Sequence, residues 1–281
     1  MWSGRPDGPI GSKPRQATGR ASDKRARPGW PQSRRMPILT LVRHGQASFG
    51  AADYDQLSAL GQRQCQRLGD YFRARGRRFD AVITGTLARQ VQSYDAIAAG
   101  LGAAQLPLRL PGLNEYDSAA VIACVHPQPL AKPDTPALYR HHFRLLRQGL
   151  TAWMAGTAQP VGMPSYPAFV AGVADALDQA RRLSARANEQ AAERGAEHAA
   201  ERGLTTGGGG DVLMVSSGGP IATAVGQVLG TPPEVTIELN MRIRNSAVTE
   251  FVITPKRHLL LSFNHLPHLD ADEYADWVTY A

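Results

Sequence analysis

Four short segments of the 281-residue chain end apolar runs with residues that can bind or move charge. Ile38 to Val42 lead into Arg43-His44-Gly45-Gln46; Arg89 follows a second apolar run, in TGTLARQVQS; Glu115 follows a third, in GLNEYD; and VLMV leads into Ser216-Ser217-Gly218-Gly219, ahead of Pro220. Two arginines beside the free N–H groups of a helix start make a site for a dianion, because a guanidinium presents paired donors matched to phosphate oxygens and a helix start favours negative charge. A neutral imidazole within such a site can attack phosphorus and split the transfer into two steps. A carboxyl whose pKa is raised by burial can protonate the leaving oxygen and later deprotonate water. Brought together, these residues predict transfer or hydrolysis of a phosphomonoester, with the arginines neutralising charge and no metal or other cofactor required.

Their convergence depends on the elements that carry them. Ile38 to Val42 reads as a buried strand. A helix follows from Ser58, placed as its N-cap, to about Arg75; then a strand over Ala81 to Thr84; then a helix from about Leu87 to Ala99, ending at Gly100 and Gly102. LPLRL is a third strand and VLMVS a fourth, with a helix from Pro220, suited to the first helical position, to Leu229, stopped by Gly230 and the proline pair Pro232-Pro233. SAVTEFVIT and HLLLSFN form a closing hairpin across a PKR turn. Strands alternating with helices predict an α/β fold, a mostly parallel central sheet with helices on both faces, in which ligands sit at the carboxyl ends of the strands. About a hundred residues separate the third and fourth strands. Two helical stretches, ALYRHHFRLLRQGLTAWMAG and FVAGVADALDQARRL, mark residues 116–210 as a helical cap insertion, with the repeated AAERG as a solvated helix end and TTGGGGD as a linker.

The formal charge of +7 is unevenly spread. Residues 1–35 hold nine basic and two acidic side chains, five prolines and five glycines, which predicts a disordered basic tail; the remaining residues hold 22 of each sign. Three readings of the tail compete: contact with an anionic surface, a transit-like leader, or an extension upstream of a true start at Met36, the one preferred here. The neutral body argues against nucleic acid as a partner. No apolar run is long enough to span a membrane. Cys65 and Cys124 form neither a disulfide framework nor a CxxC motif, so a reducing cytoplasm is the expected compartment. His265 and His268 lack the carboxylate or Cys partners of a metal set, and the adjacent His141 and His142 cannot both face one ligand. No GxxxxGK[ST], usable GxGxxG or HExxH is present.

From Met36 onward the chain resembles the histidine phosphatase superfamily, with its phosphoglycerate-mutase-like fold, in its bacterial phosphatase branch. LTLVRHGQAS is similar to the family signature, LSALGQRQ to the helix start that follows it, TGTLARQVQS to the second-arginine motif, GLNEYD to the acid motif, and RNSAV with SFNHLPHL to the closing strands. The resemblance implies a phosphorylated His44, catalytic Arg43, Arg89 and Glu115, and phosphate contacts from Arg43, Gln46, Arg89, Ser217 and Gly218. The family carries a second histidine where this chain has Ser217. A hydroxyl in place of a ring that can be cationic predicts turnover lower by about a hundredfold or more. Gly218 and Gly219 are expected to leave room there for an imidazole. The implied function is hydrolysis of a small phosphorylated metabolite; a non-catalytic binder of phosphate ligands and, less favoured, a phosphomutase are the alternatives. A homodimer is compatible with all three.

Overall fold

The computed structural model describes residues 35–48, 55–131, 134–202 and 209–280. The tail other than Arg35, and residues 203–208 of the linker region, lie outside the described residues.

Six strands form one sheet in the order β3-β2-β4-β1-β5-β6. They are β1 (Ile38–Arg43), β2 (Ala81–Thr84), β3 (Leu108–Arg109), β4 (Val212–Ser216), β5 (Val248–Ile253) and β6 (His258–His265). β1 pairs parallel with β4, and β2 parallel with β3 and β4; β5 and β6 add an antiparallel edge. Both faces of the centre are covered, so β1 and β4 are apolar almost throughout. The pleat sends Leu39, Leu41, Val212 and Met214 into one core and Val42, Leu213 and Val215 into the other.

The second face is covered by α1 (Ala59–Ala74) and α2 (Ala88–Leu101). Ser58 caps α1 as expected, accepting from the Gly61 N–H at 3.0 Å. α2 runs through Gly100, the first of the two glycines at which the sequence reading ends it, and stops at the second, Gly102, in the left-handed conformation. Gly100 serves packing instead: a Cβ there would lie 2.1 Å from the Gln66 carbonyl oxygen, so the two helices touch through their backbones. The third strand is only two residues long.

Between β3 and β4 lie α3 (Ser118–Ala123), α4 (Pro136–Met154) and α5 (Tyr166–Arg202). Leu150, Trp153, Phe169 and Val173 join the first core. α6 (Gly218–Leu229) begins two residues before Pro220, which therefore falls at the third helical position; its missing N–H is an orphan of the first turn in either case. α7 (Pro233–Asn240) does not figure in the sequence reading, where the paired prolines mark a stop; Pro233 opens a new helix instead. Arg35 reaches back to the sheet and pairs with Asp211 at 2.7 Å.

Candidate active site

The β1–β4 register sets Arg43 beside Ser216. One residue on, the His44 N–H donates to the Ser216 carbonyl at 2.8 Å, while the His44 carbonyl accepts from Ser246 N–H at 3.1 Å and from Asn245 Nδ2 at 3.4 Å. Ser246 is a non-glycine residue at φ 57°, held there by these bonds and by its hydroxyl's contact with His268 Nε2 at 2.9 Å. The backbone of His44 is thus fixed from both sides. On its other flank, a Cβ on Gly45 would lie 2.4 Å from the Gly61 carbonyl oxygen, so only glycine lets the strand end meet the start of α1.

The ring of His44 is buried, with Nδ1 2.7 Å from the Gly45 carbonyl oxygen and Nε2 3.3 Å from Arg89 Nε. A carbonyl only accepts and a guanidinium only donates, so Nδ1 carries the proton and Nε2 presents a lone pair. Burial, then the charges of Arg43 and Arg89, hold the imidazole pKa well below its ordinary value. The ring is therefore neutral at neutral pH, with Nε2 as its acceptor.

Arg89 stands in the first turn of α2, and its buried guanidinium also pairs through Nη1 with Asp55 Oδ1 at 2.7 Å. Asp55 accepts from the Ala88 N–H at 2.8 Å as well, a carboxylate against the positive end of the helix. Arg43 is buried and donates to the Ile243 carbonyl.

Glu115 reaches the start of α6 from the loop after β3. Both of its oxygens lie 3.1 Å from the Gly219 N–H, and one also accepts from Tyr116 N–H at 3.2 Å. Burial raises its carboxyl pKa; the Gly219 N–H, Arg43 and Arg89 oppose that rise without cancelling it. The structure thus brings together His44, Arg89, Arg43, Glu115 and the first turn of α6.

The remaining expected residues are placed differently. Gln46 is half-buried and turned toward α1, where its Oε1 accepts from the Ser58 hydroxyl at 2.8 Å. Ser217 is the N-cap residue of α6 and fully buried; its Oγ makes no capping bond and accepts instead from Gln90 Nε2 at 2.8 Å. The room expected beside the two glycines is filled. A Cβ on Gly218 would lie 2.7 Å from Asn240 Oδ1, and one on Gly219 2.2 Å from Glu115 Oε1. His268 is buried against Ser246 whereas His265 is exposed. Among the described residues no group of three His, Cys, Asp or Glu side chains is placed to hold a metal ion, and no helix is long and apolar enough to cross a membrane. Asp55 and Gln90 escape the sequence reading. A polar residue at a position that α2 buries was the available signal for Gln90; Asp55 carries none in its own neighbourhood.

Residues 39–128 match the histidine phosphatase superfamily (branch 1). That segment contains Arg43, His44, Arg89 and Glu115 and stops short of Ser217. No curated protein sequence matches the chain. Among solved structures, a phosphoglycerate mutase from Bacillus anthracis str. Sterne superposes with a TM-score of 0.51 at 16% identity, covering 84% of this chain and 96% of that one. A phosphoserine phosphatase from Entamoeba histolytica, in complex with 3-phosphoglyceric acid, has a TM-score of 0.47 at 18% identity, covering 83% and 100%. An alpha-ribazole phosphatase from Shigella flexneri has 0.47 at 18%, covering 82% and 96%. The fold is the phosphoglycerate-mutase-like α/β fold.

Proposed function

We propose that the protein hydrolyses a small phosphomonoester through a phosphohistidine at His44. The observation that carries this reading is the fixed tautomer: Nδ1–H is committed to the Gly45 carbonyl, leaving the Nε2 lone pair beside Arg89 Nε. Nε2 attacks phosphorus as the ester P–O bond breaks, and the leaving oxygen takes the proton of the Glu115 carboxyl. Water then attacks the phosphoryl group, Glu115 takes back a proton, the P–N bond breaks, and phosphate departs. Arg43 and Arg89 neutralise the phosphoryl oxygens. The match of residues 39–128 to the histidine phosphatase superfamily supports the assignment.

Glu115 occupies the first turn of α6, and a phosphoryl oxygen is the natural competitor for the Gly219 N–H. Ser217 acts through its neighbours in this scheme, because its hydroxyl is enclosed. Gln46 supports the start of α1, and Gly218 contributes backbone. The helices of residues 116–210 act as a cap: Tyr116, Trp153, Tyr166 and Phe169 wall a cavity that opens beside Gly219 and Asn240.

The enclosed serine also favours a second reading, in which phosphate is bound without turnover. Incubation with a panel of phosphomonoesters, alongside orthovanadate binding, tests both. Turnover that disappears in His44→Ala supports hydrolysis, vanadate binding without turnover supports the binder, and activity undiminished in His44→Ala overturns the mechanism.

A further inference from the structure

Gln90 is fully buried one residue after Arg89, and every polar atom of its carboxamide is used. Its Nε2 donates to the Leu113 carbonyl at 2.8 Å and to Ser217 Oγ at 2.8 Å, and its Oε1 accepts from the Leu87 N–H at 3.3 Å. These contacts join three elements that carry the site. Leu87 opens the helix of Arg89, Leu113 lies two residues before Glu115, and Ser217 begins the helix whose Gly219 N–H holds Glu115. The surroundings are cut to fit the side chain. A Cβ on Gly85 would lie 1.8 Å from Gln90 Oε1, so position 85 must lack a side chain for the carboxamide to sit where it does. The Ser216 hydroxyl donates to the same Leu113 carbonyl at 2.8 Å, closing the cluster.

We propose that Gln90 is a positioning residue that fills the space beside position 217 and sets Arg89, Glu115 and the start of α6 relative to one another. Gln90 and Ser217 then form one unit: the chain is small at 217 because it is long at 90. The packing half of this inference stands on the contacts alone; the catalytic half rests on the phosphatase reading above. A buried carboxamide with all its bonds made fixes geometry, since any displacement leaves an unsatisfied polar atom in the interior.

Two sets of variants test it. Urea unfolding is measured for Ser217→His, Gln90→Ala and the double variant. Ser217→His alone is expected to lower the midpoint or to prevent folding, because the ring meets Gln90; adding Gln90→Ala relieves it, giving a non-additive cycle. Losses that simply add in the double variant overturn the packing relation. Gln90→Met keeps the volume and removes both donors; it should fold, with kcat down about tenfold and KM within about threefold. Wild-type kcat in Gln90→Met overturns the positioning role. If the wild-type protein neither turns over phosphomonoesters nor binds vanadate, the phosphatase reading fails, and the unfolding cycle still decides whether positions 90 and 217 are coupled.

Discussion

Arg89 Nε stands 3.3 Å from His44 Nε2, and Nη1 of the same guanidinium holds Asp55 Oδ1 at 2.7 Å. One planar group thereby fixes the Nε2 edge of the imidazole while anchored to a carboxylate at its own helix start. The arrangement needs arginine, because a lysine ammonium offers no fork that can serve both partners.

The tautomer predicts where phosphate attaches. Brief incubation with a labelled phosphomonoester followed by quenching should trap acid-labile phosphate on His44 Nε2, absent in His44→Ala. Nitrogen NMR of the free protein should show the ring neutral, protonated at Nδ1, down to a pH well below the ordinary histidine pKa, as burial and two neighbouring arginines require. Phosphate on Nδ1, or a ring that protonates near its ordinary pKa, contradicts the geometry.

Asp55→Asn removes the charge that anchors Arg89 and keeps the size of the side chain. The guanidinium, freed on one side, should spend less time aimed at the phosphoryl position, lowering kcat/KM by about tenfold. Asp55 is about one-third exposed, so the stability loss should be small, about 1 kcal/mol or less. Steady-state kinetics and urea unfolding read the two effects separately, and an unchanged kcat/KM would show that Arg89 needs no anchor.

Glu115 predicts a trade between stability and activity. Its folded pKa is raised above the ordinary 4.5, so the folded state binds a proton more tightly than the unfolded chain. Stability from this group is complete below pH 4.5 and is lost as pH rises through the raised pKa. Glu115→Gln has no charge to desolvate and should gain stability over wild type as pH rises from 5 to 8, while turnover falls by about 10²-fold to 10⁴-fold. Urea midpoints that differ by the same amount at both pH values would place the carboxyl at its ordinary pKa.

His268 gives acid sensitivity of the opposite sign. Burial pushes its pKa down to about 3, so the unfolded chain takes up a proton that the folded state refuses. Stability present above pH 6.5 is therefore lost as pH falls toward 3. His268→Gln, whose amide can still face the Ser246 hydroxyl, should show a shallower fall over that window, read by unfolding at several pH values. An unchanged slope would mean that other groups carry the acid transition.

Much of this was legible in the sequence because parallel α/β packing is written in short apolar runs with chemistry at their ends. Ile38 to Val42 followed by Arg-His-Gly, and Val212 to Val215 followed by Ser-Ser-Gly-Gly, identify two central strands and where each ends. The same reasoning misses what tertiary contact decides. Gly100 reads as a helix stop and is a helix contact; Pro233 reads as a break and starts a helix. Asp55 lies 34 positions from Arg89, and no local pattern links them. The sequence reading singles out Ser217, but the Gln90 carboxamide that donates to its hydroxyl lies 127 positions away and only folding brings it near.

Gly219 offers the sharpest test of the Glu115 geometry. Its N–H is the donor that both carboxylate oxygens face, and a Cβ at this position would lie 2.2 Å from Glu115 Oε1 and 2.7 Å from the Tyr116 ring. Gly219→Ala leaves the N–H in place and the backbone in an ordinary helical conformation, so the methyl group acts by displacing the carboxyl and, less, the Tyr116 ring. Overpacking of this kind costs about 1–3 kcal/mol, which a folded domain can tolerate. Turnover should fall by about 10²-fold or more, toward that of Glu115→Gln, because the carboxyl proposed as general acid is displaced. The double variant Gly219→Ala, Glu115→Gln should then be scarcely slower than either single variant, since both remove the same contribution. Fully additive losses in kcat would show that Gly219 acts on the reaction by a route independent of Glu115.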